Sequence, residues 1–120
     1  MIKVVGLLRR RPGMSREAFR EHYERVHRVI GEKYLKGHAV RYVRRYLTPL
    51  DAPAPDAAPG PDCDAMWEIW YPDHAAFEAA MARLAEPDAM QEIGEDVARL
   101  FDAPARRYYT VDEVESDMGA

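Results

Sequence analysis

Two histidines lie five residues apart in the segment FREHYERVH, residues 19–27, which has the pattern of an amphipathic helix. The apolar residues recur at spacings of four, three and four, which traces one helical face: Phe19, Tyr23, Val26 and Ile30. Histidine has an ordinary pKa of about 6.5, so it can accept and return a proton near neutral pH. The segment can therefore supply a general acid or base if one imidazole faces a site.

The two imidazoles are expected to have separate roles. Successive α-helical residues are turned by about 100°, so His22 and His27 are predicted to point about 140° apart and not to act as one unit. His27 lies one turn beyond Tyr23, where ring and imidazole can meet at the edge of the buried face. His22 is expected to pack beside Phe19 and Val26 or to reach the surface. The alternative for His27 is a half-buried structural histidine bonded to a backbone carbonyl.

The elements that must position these residues follow the order β-α-β-β-α-α-β. Strands are predicted over residues 2–9, 38–47, 65–71 and 106–114, and helices over 15–30, 72–84 and 86–101. Ser15 is placed to cap the first helix, since its hydroxyl can accept from first-turn amides. This order predicts an α+β, ferredoxin-like split β-α-β fold, with a four-stranded antiparallel sheet covered by helices on one face.

The second face of such a sheet needs a cover, because large apolar side chains would otherwise stand in water. A second copy is the expected cover, giving a dimeric α+β barrel whose pocket lies between the two facing sheets and is lined by strand residues. Strand alternation places Tyr42 and Tyr46 on one side of the second strand, and Met66 and Trp70 on one side of the third. These four residues are the predicted ligand-binding set.

Glu68 lies between Met66 and Trp70 on the third strand and has two interpretations. If that face lines the cavity, Glu68 is a second acid or base whose pKa is raised by desolvation. If it faces an arginine such as Arg44 across the sheet, it is one half of a structural ion pair. The sequence leaves both open.

Three segments resemble the EthD family. The opening KVVGLLRRRPGMSREAFREHYERVH, residues 3–27, has the family's strand, basic-Pro-Gly turn and Ser-capped helix, with an aromatic residue four positions before a histidine. Tyr23 and His27 occupy those two positions. AMWEIWYPD, residues 65–73, and EDVARLFD, residues 95–102, also resemble the family. The resemblance implies a dimeric barrel over residues 1–114, in which Asp96 either holds His27 by a hydrogen bond or only decorates its helix.

Composition and charge limit the classes of function. Residues 1–47 hold 13 Lys and Arg against 4 Glu, whereas residues 48–120 hold 4 Arg against 17 acids, so the two halves are expected to attract each other. No nucleic-acid-binding motif accompanies the basic half, and no nucleic-acid or membrane partner is predicted. One cysteine, Cys63, excludes an intrachain disulfide and fits a reducing, cytoplasmic location. Residues 48–63 are predicted to be a mobile Pro/Ala-rich loop, and residues 115–120 a frayed tail.

The family resemblance implies several activities, so two hypotheses of different class are carried forward. The first is a cofactor-independent lyase or cyclase that decarboxylates, dehydrates or cyclises a small aromatic or lipophilic carbonyl compound, with His27 as general acid and base. Its predicted catalytic residues are His27, Tyr23, Glu68 and Asp96, with no metal or cofactor. The second is a non-catalytic protein that binds a hydrophobic ligand for an oxygenase system. A haem-binding barrel with one axial histidine is a minor alternative.

Overall fold

The computed structural model describes residues 1–50 and 63–119. Its four strands form one antiparallel sheet in the order β2-β3-β1-β4. The strand bounds are β1 Ile2–Leu8, β2 Arg41–Tyr46, β3 Ala65–Tyr71 and β4 Arg107–Thr110. This order, with helices between the strands, confirms the predicted α+β ferredoxin-like fold.

The first helical run is longer than the sequence predicts. It consists of α1, a π-helical turn and α2, with bounds Arg16–His22, Tyr23–His27 and Arg28–Leu35. Ser15 caps it as predicted, because its hydroxyl accepts from the backbone N–H of Ala18 at 3.1 Å. Gly31 was expected to begin the connection, but the helix continues past it to Leu35. The turn that follows contains Gly37, whose φ of +86° suits glycine.

Two further helices follow β3, namely α3 and α4, with bounds His74–Leu84 and Pro87–Leu100. The side chain of Asp73 caps α3 by accepting from the N–H of Ala76 at 2.8 Å. Pro87 stands in the first turn of α4, where the missing N–H costs nothing. A short 3₁₀ turn, Ala103–Ala105, leads into β4.

The helix-facing side of the sheet carries Val4, Leu8, Trp67 and Ile69, which share a cavity wall with helix residues. The packing there is close at Gly6, because a Cβ on that residue would lie 2.3 Å from the indole of Trp67. Glycine is therefore what allows Trp67 to lie flat across β1.

Two sequence predictions concern segments at the margin of the described chain. The predicted mobile loop, residues 48–63, lies mostly outside the described residues. Residues 111–119 form no helix or strand, and Val114 is fully exposed. The predicted frayed tail, residues 115–120, is described as far as Gly119. Within the described residues, no helix is both long enough and apolar enough to cross a membrane.

Candidate functional site

A cavity of about 650 Å³ lies between the sheet and the helices of the same chain. The sequence had placed the pocket on a sheet face covered by a second copy, whereas this cavity lies on the face that the helices cover. Its walls are largely aliphatic and aromatic, which is typical of small-molecule sites. The polar or aromatic side chains in the wall are Tyr23, His27, Tyr42, Trp67, Tyr71, Phe101, Arg106 and Tyr108.

The π-helical turn brings both histidines to one side of the helix. The N–H of Arg28 donates to the carbonyl of Tyr23, five residues earlier, instead of four. This wider turn aligns residues that are five apart. His22 and His27 therefore do not diverge by about 140°, as an unbroken α-helix would require; both reach Asp96 on α4.

Asp96 bridges the two imidazoles and is fully buried. Nε2 of His22 lies 2.7 Å from Oδ1 of Asp96, and Nδ1 of His27 lies 2.9 Å from Oδ2. A carboxylate can only accept hydrogen bonds, so each of these ring nitrogens is a donor. In neutral His27 the proton is then on Nδ1, and Nε2 keeps its lone pair in a ring that lines the cavity.

Aromatic rings enclose His27 on two sides. Tyr23 and Phe101 both meet the imidazole edge to face, with ring centroids at 5.3 Å and 5.2 Å. Burial lowers the pKa of His27 below its ordinary value, although the hydrogen bond and the charge of Asp96 act in the opposite direction. His27 is therefore poised as a neutral base near neutral pH.

Two tyrosines, Tyr23 and Tyr42, line the same cavity as this imidazole. The hydroxyls of Tyr23 and Tyr42 are 3.1 Å apart and share one hydrogen bond. Burial is the main cause that raises the pKa of both phenols, so both remain protonated. Only one of the two hydroxyl protons can lie in the shared hydrogen bond, so the other hydroxyl can donate a hydrogen bond to a ligand.

Tyr46, predicted to bind ligand, is engaged elsewhere. Its hydroxyl donates to Oε2 of Glu24 at 2.5 Å, and Arg44 binds the same carboxylate through Nε at 2.7 Å and Nη2 at 2.9 Å. These bonds, Arg44 first, lower the pKa of Glu24. Tyr46 packs against the core beside Phe19 and is not among the residues that line the cavity.

Three predicted site residues lie on the opposite face of the sheet, away from this cavity. Met66, Glu68 and Trp70 alternate with the cavity residues of β3. Glu68 is buried there and pairs with Arg45 at 3.2 Å, not with Arg44. Alternation predicted which residues share a face, but it could not predict which face the helices cover.

The sequence analysis did not single out Trp67, Arg106 or Tyr108. Trp67 stacks on Tyr108 with ring centroids 5.5 Å apart, and both line the cavity. Arg106 also lines it, and its charge contributes to the lowered pKa of His27. Trp67 lies on the face of the third strand opposite to Met66 and Trp70. Strand alternation could therefore have indicated it from the sequence. Over residues 1–50 and 63–119, no cluster of three His, Cys, Asp or Glu side chains could hold a metal ion.

Comparison with known proteins places this fold in a family. The family model described as EthD domain matches residues 11–104. This chain belongs to the EthD family. No curated protein matches it in sequence.

Solved structures share the EthD chain's fold at low sequence identity. An EthD-like protein from Ralstonia eutropha is 20% identical, with a TM-score of 0.66 over 99% of this chain and 96% of that one. A cofactor-independent oxygenase from Streptomyces nogalater, solved as a mutant, is 14% identical, with a TM-score of 0.57 over 96% and 94%. A dimeric ferredoxin-like protein of unknown function from Thermobifida fusca is 14% identical, with a TM-score of 0.55 over 92% and 88%.

Proposed function

We propose that this EthD-family protein is a cofactor-independent lyase or cyclase that acts on a small aromatic or lipophilic carbonyl compound. The observation that carries the proposal is a half-buried imidazole, held by a buried carboxylate, in the wall of a largely apolar cavity. A group with these properties can act as a general base and then as a general acid.

The side chains of this wall support the proposed reaction class. Nε2 of His27 takes a proton from the carbon beside a ligand carbonyl, and the electron pair of that C–H bond moves into the enolate. The imidazolium is stabilised by Asp96, while a hydroxyl of the Tyr23–Tyr42 pair donates to the enolate oxygen. Returning the proton to a departing hydroxyl completes a dehydration, with water as the second product.

The same groups would support the other members of this reaction class. In a decarboxylation, His27 first takes the proton of the ligand's carboxyl group. The C–C bond to the carboxylate then breaks, CO₂ leaves, and His27 delivers the same proton to the resulting carbanion. In a cyclisation, the enolate carbon attacks a second carbonyl, and the proton passes to the new alkoxide. The positive charge of Arg106 lies in the same wall and favours a ligand with a carbonyl or acidic group there.

A second candidate is a non-catalytic protein that holds a hydrophobic ligand for an oxygenase system. The aromatic wall favours it, because Trp67, Tyr108 and Phe101 can bind a flat ligand without any catalytic group. The catalytic proposal is preferred because binding alone needs no imidazole fixed by a buried carboxylate.

Turnover of a panel of phenolic and polyketide-derived acids distinguishes the two candidates. Loss of CO₂ or water is followed by mass spectrometry, and binding by tryptophan fluorescence, since Trp67 lines the cavity. We expect His27→Ala to lower turnover on the order of a hundredfold or more, as loss of a general base does. His74→Ala, which removes an exposed histidine on α3, is the matched control and should keep wild-type turnover. Equal turnover in the wild type and His27→Ala would remove His27 from the mechanism, and binding without turnover favours the second candidate.

We also propose a homodimer in which a second copy covers the sheet face that carries Met66 and Trp70. The support is the neighbouring structure described as dimeric, together with the apolar side chains on this face.

A further inference from the structure

We infer that His22 is a positioning residue for His27: by binding one oxygen of Asp96, it directs the other oxygen to Nδ1 of His27 and keeps Nε2 free toward the cavity. This inference deepens the proposed function of His27 and rests on it for its catalytic consequence. The sequence analysis had given His22 a packing or surface role, separate from the site.

Asp96 offers two acceptor oxygens, one to each imidazole. The carboxylate is fully buried, and His27 occupies only one of its two oxygens. His22 Nε2 lies 2.7 Å from the other oxygen, whereas Nη1 of Arg99 is 3.8 Å from it, beyond hydrogen-bonding distance. Without His22, that oxygen would lose its nearest donor, and the carboxylate could rotate or draw in water.

The Asp96 bridge also fixes the orientation of His27. A histidine has one proton to place on two ring nitrogens, and the hydrogen bond on one nitrogen decides which keeps the lone pair. A carboxylate clamped between two imidazoles has one fixed orientation, so the proton of His27 stays on Nδ1. A loosened carboxylate would allow the opposite tautomer, whose Nε2 cannot accept a proton from a ligand.

The backbone between the two histidines is irregular. A π-helical turn departs from regular helical hydrogen bonding and occurs often at functional sites. Here it spans Tyr23–His27 and is what allows residues 22 and 27 to reach the same carboxylate. The irregular turn therefore has a specific geometric result, which an unbroken α-helix would not deliver.

The alternative is that His22 only ties α1 to α4 as a structural clamp. A clamp predicts lower stability when His22 is changed, with no change in the protonation of His27. The tautomer of His27 therefore separates the two roles, and the unfolding temperature alone does not.

The test uses ¹⁵N-edited NMR of the imidazole rings of the folded protein, with no ligand added. In the wild type we expect the proton of neutral His27 on Nδ1. In His22→Ala we expect the Nε2 signal of His27 to shift toward the N–H range, which reports the opposite tautomer. His22→Gln keeps a side-chain N–H donor and should restore the wild-type tautomer, whereas His22→Met keeps volume without a donor and should behave like His22→Ala. His74→Ala is the control.

The results of these experiments distinguish a failure of the His22 inference from a failure of the proposed enzyme function. An unchanged His27 tautomer in whichever of His22→Ala and His22→Met is folded overturns the inference, however far the unfolding temperature falls. A shifted tautomer with rescue by His22→Gln supports it even if no substrate is turned over, in which case only the proposed enzyme function fails. If turnover is found, His22→Ala should lower kcat roughly tenfold and leave KM nearly unchanged, since residues that orient a catalytic ligand have effects of this size.

Discussion

His27 is subject to two opposing influences, and their balance decides what it can do. Burial disfavours the charged imidazolium, and the carboxylate of Asp96 favours it. The effect of burial is larger, so the pKa of His27 is lowered and the ring is neutral at rest. Asp96 nevertheless supplies a counter-charge at 2.9 Å for the moment when a proton arrives, which is the property a general base needs.

This balance predicts how stability depends on pH. The pKa of His27 is lower in the folded chain than the value of about 6.5 in an unfolded one, so the unfolded chain takes up the proton first as pH falls. The contribution of His27 to stability is therefore present above about pH 6.5 and is lost as pH falls through its folded pKa. Urea unfolding at about pH 7.5 and about pH 5.5 should show a larger loss for the wild type than for His27→Gln.

A matched control isolates His27 from the other groups that titrate in this range. His74→Gln changes an exposed histidine paired with Glu78 and should retain the wild-type dependence on pH. The same loss of stability in the wild type and in His27→Gln would contradict the lowered pKa.

At the scale of the elements, the sequence correctly predicted which residues share a helical edge or a strand face, because that grouping follows from regular periodicity. The 3.6-residue period placed Tyr23 and His27 on one helical edge, and they meet at 5.3 Å. The role of His22 could not be predicted, because the inserted residue of a π turn leaves no mark in the spacing of apolar residues. Strand alternation grouped Met66, Glu68 and Trp70 correctly, but the covered face depends on how the helices cross the sheet, which alternation does not encode.

The close contact between β1 and β3 predicts a sensitive position. Gly6→Ala would place a Cβ 2.3 Å from the Trp67 indole, so the ring must leave its stacking position on Tyr108. We expect a loss of about 1–3 kcal/mol of unfolding free energy, as overpacking gives, together with a changed tryptophan emission. Urea unfolding and fluorescence measure the two effects.

Gly94→Ala is the control for that substitution. Gly94 lies on α4 and has no atom within 4 Å of the added Cβ, so the change should stabilise the helix by roughly 0.5–1 kcal/mol. Equal unfolding free energies for Gly6→Ala and Gly94→Ala would mean that the indole moves aside without cost.

At the scale of the whole molecule, the uneven distribution of charge along the sequence leads to ion pairs between the two halves of the chain. Ion pairs join the basic first part to the acidic second part: Lys3–Glu113, Arg10–Asp64, Lys33–Glu92 and Arg45–Glu68. The pairs Lys3–Glu113 and Lys33–Glu92 are exposed, and exposed pairs stabilise little individually. The bridge from Asp96 to His22 and His27 also joins the two parts of the chain, and its carboxylate is fully buried.

The sheet face opposite the cavity predicts the assembly. Met66 and Trp70 lie there with Val5 and Val43, and two cations, Lys3 and Arg41, stand 4.1 Å and 4.4 Å from the Trp70 ring. A second copy that covers this face would bury its apolar side chains, so we expect a dimer at micromolar concentration in sedimentation velocity.

A charge placed on this face should separate the two copies. Val43→Glu puts a carboxylate beside Glu68, its neighbour across the sheet, and burying both in an interface would be unfavourable. We expect a folded monomer with the wild-type circular dichroism spectrum. Val29→Glu makes the same change at an exposed position on α2, on the helical layer, and should remain a dimer. A wild-type monomer, or a Val43→Glu dimer as stable as the Val29→Glu control, would show that a second copy does not cover this face.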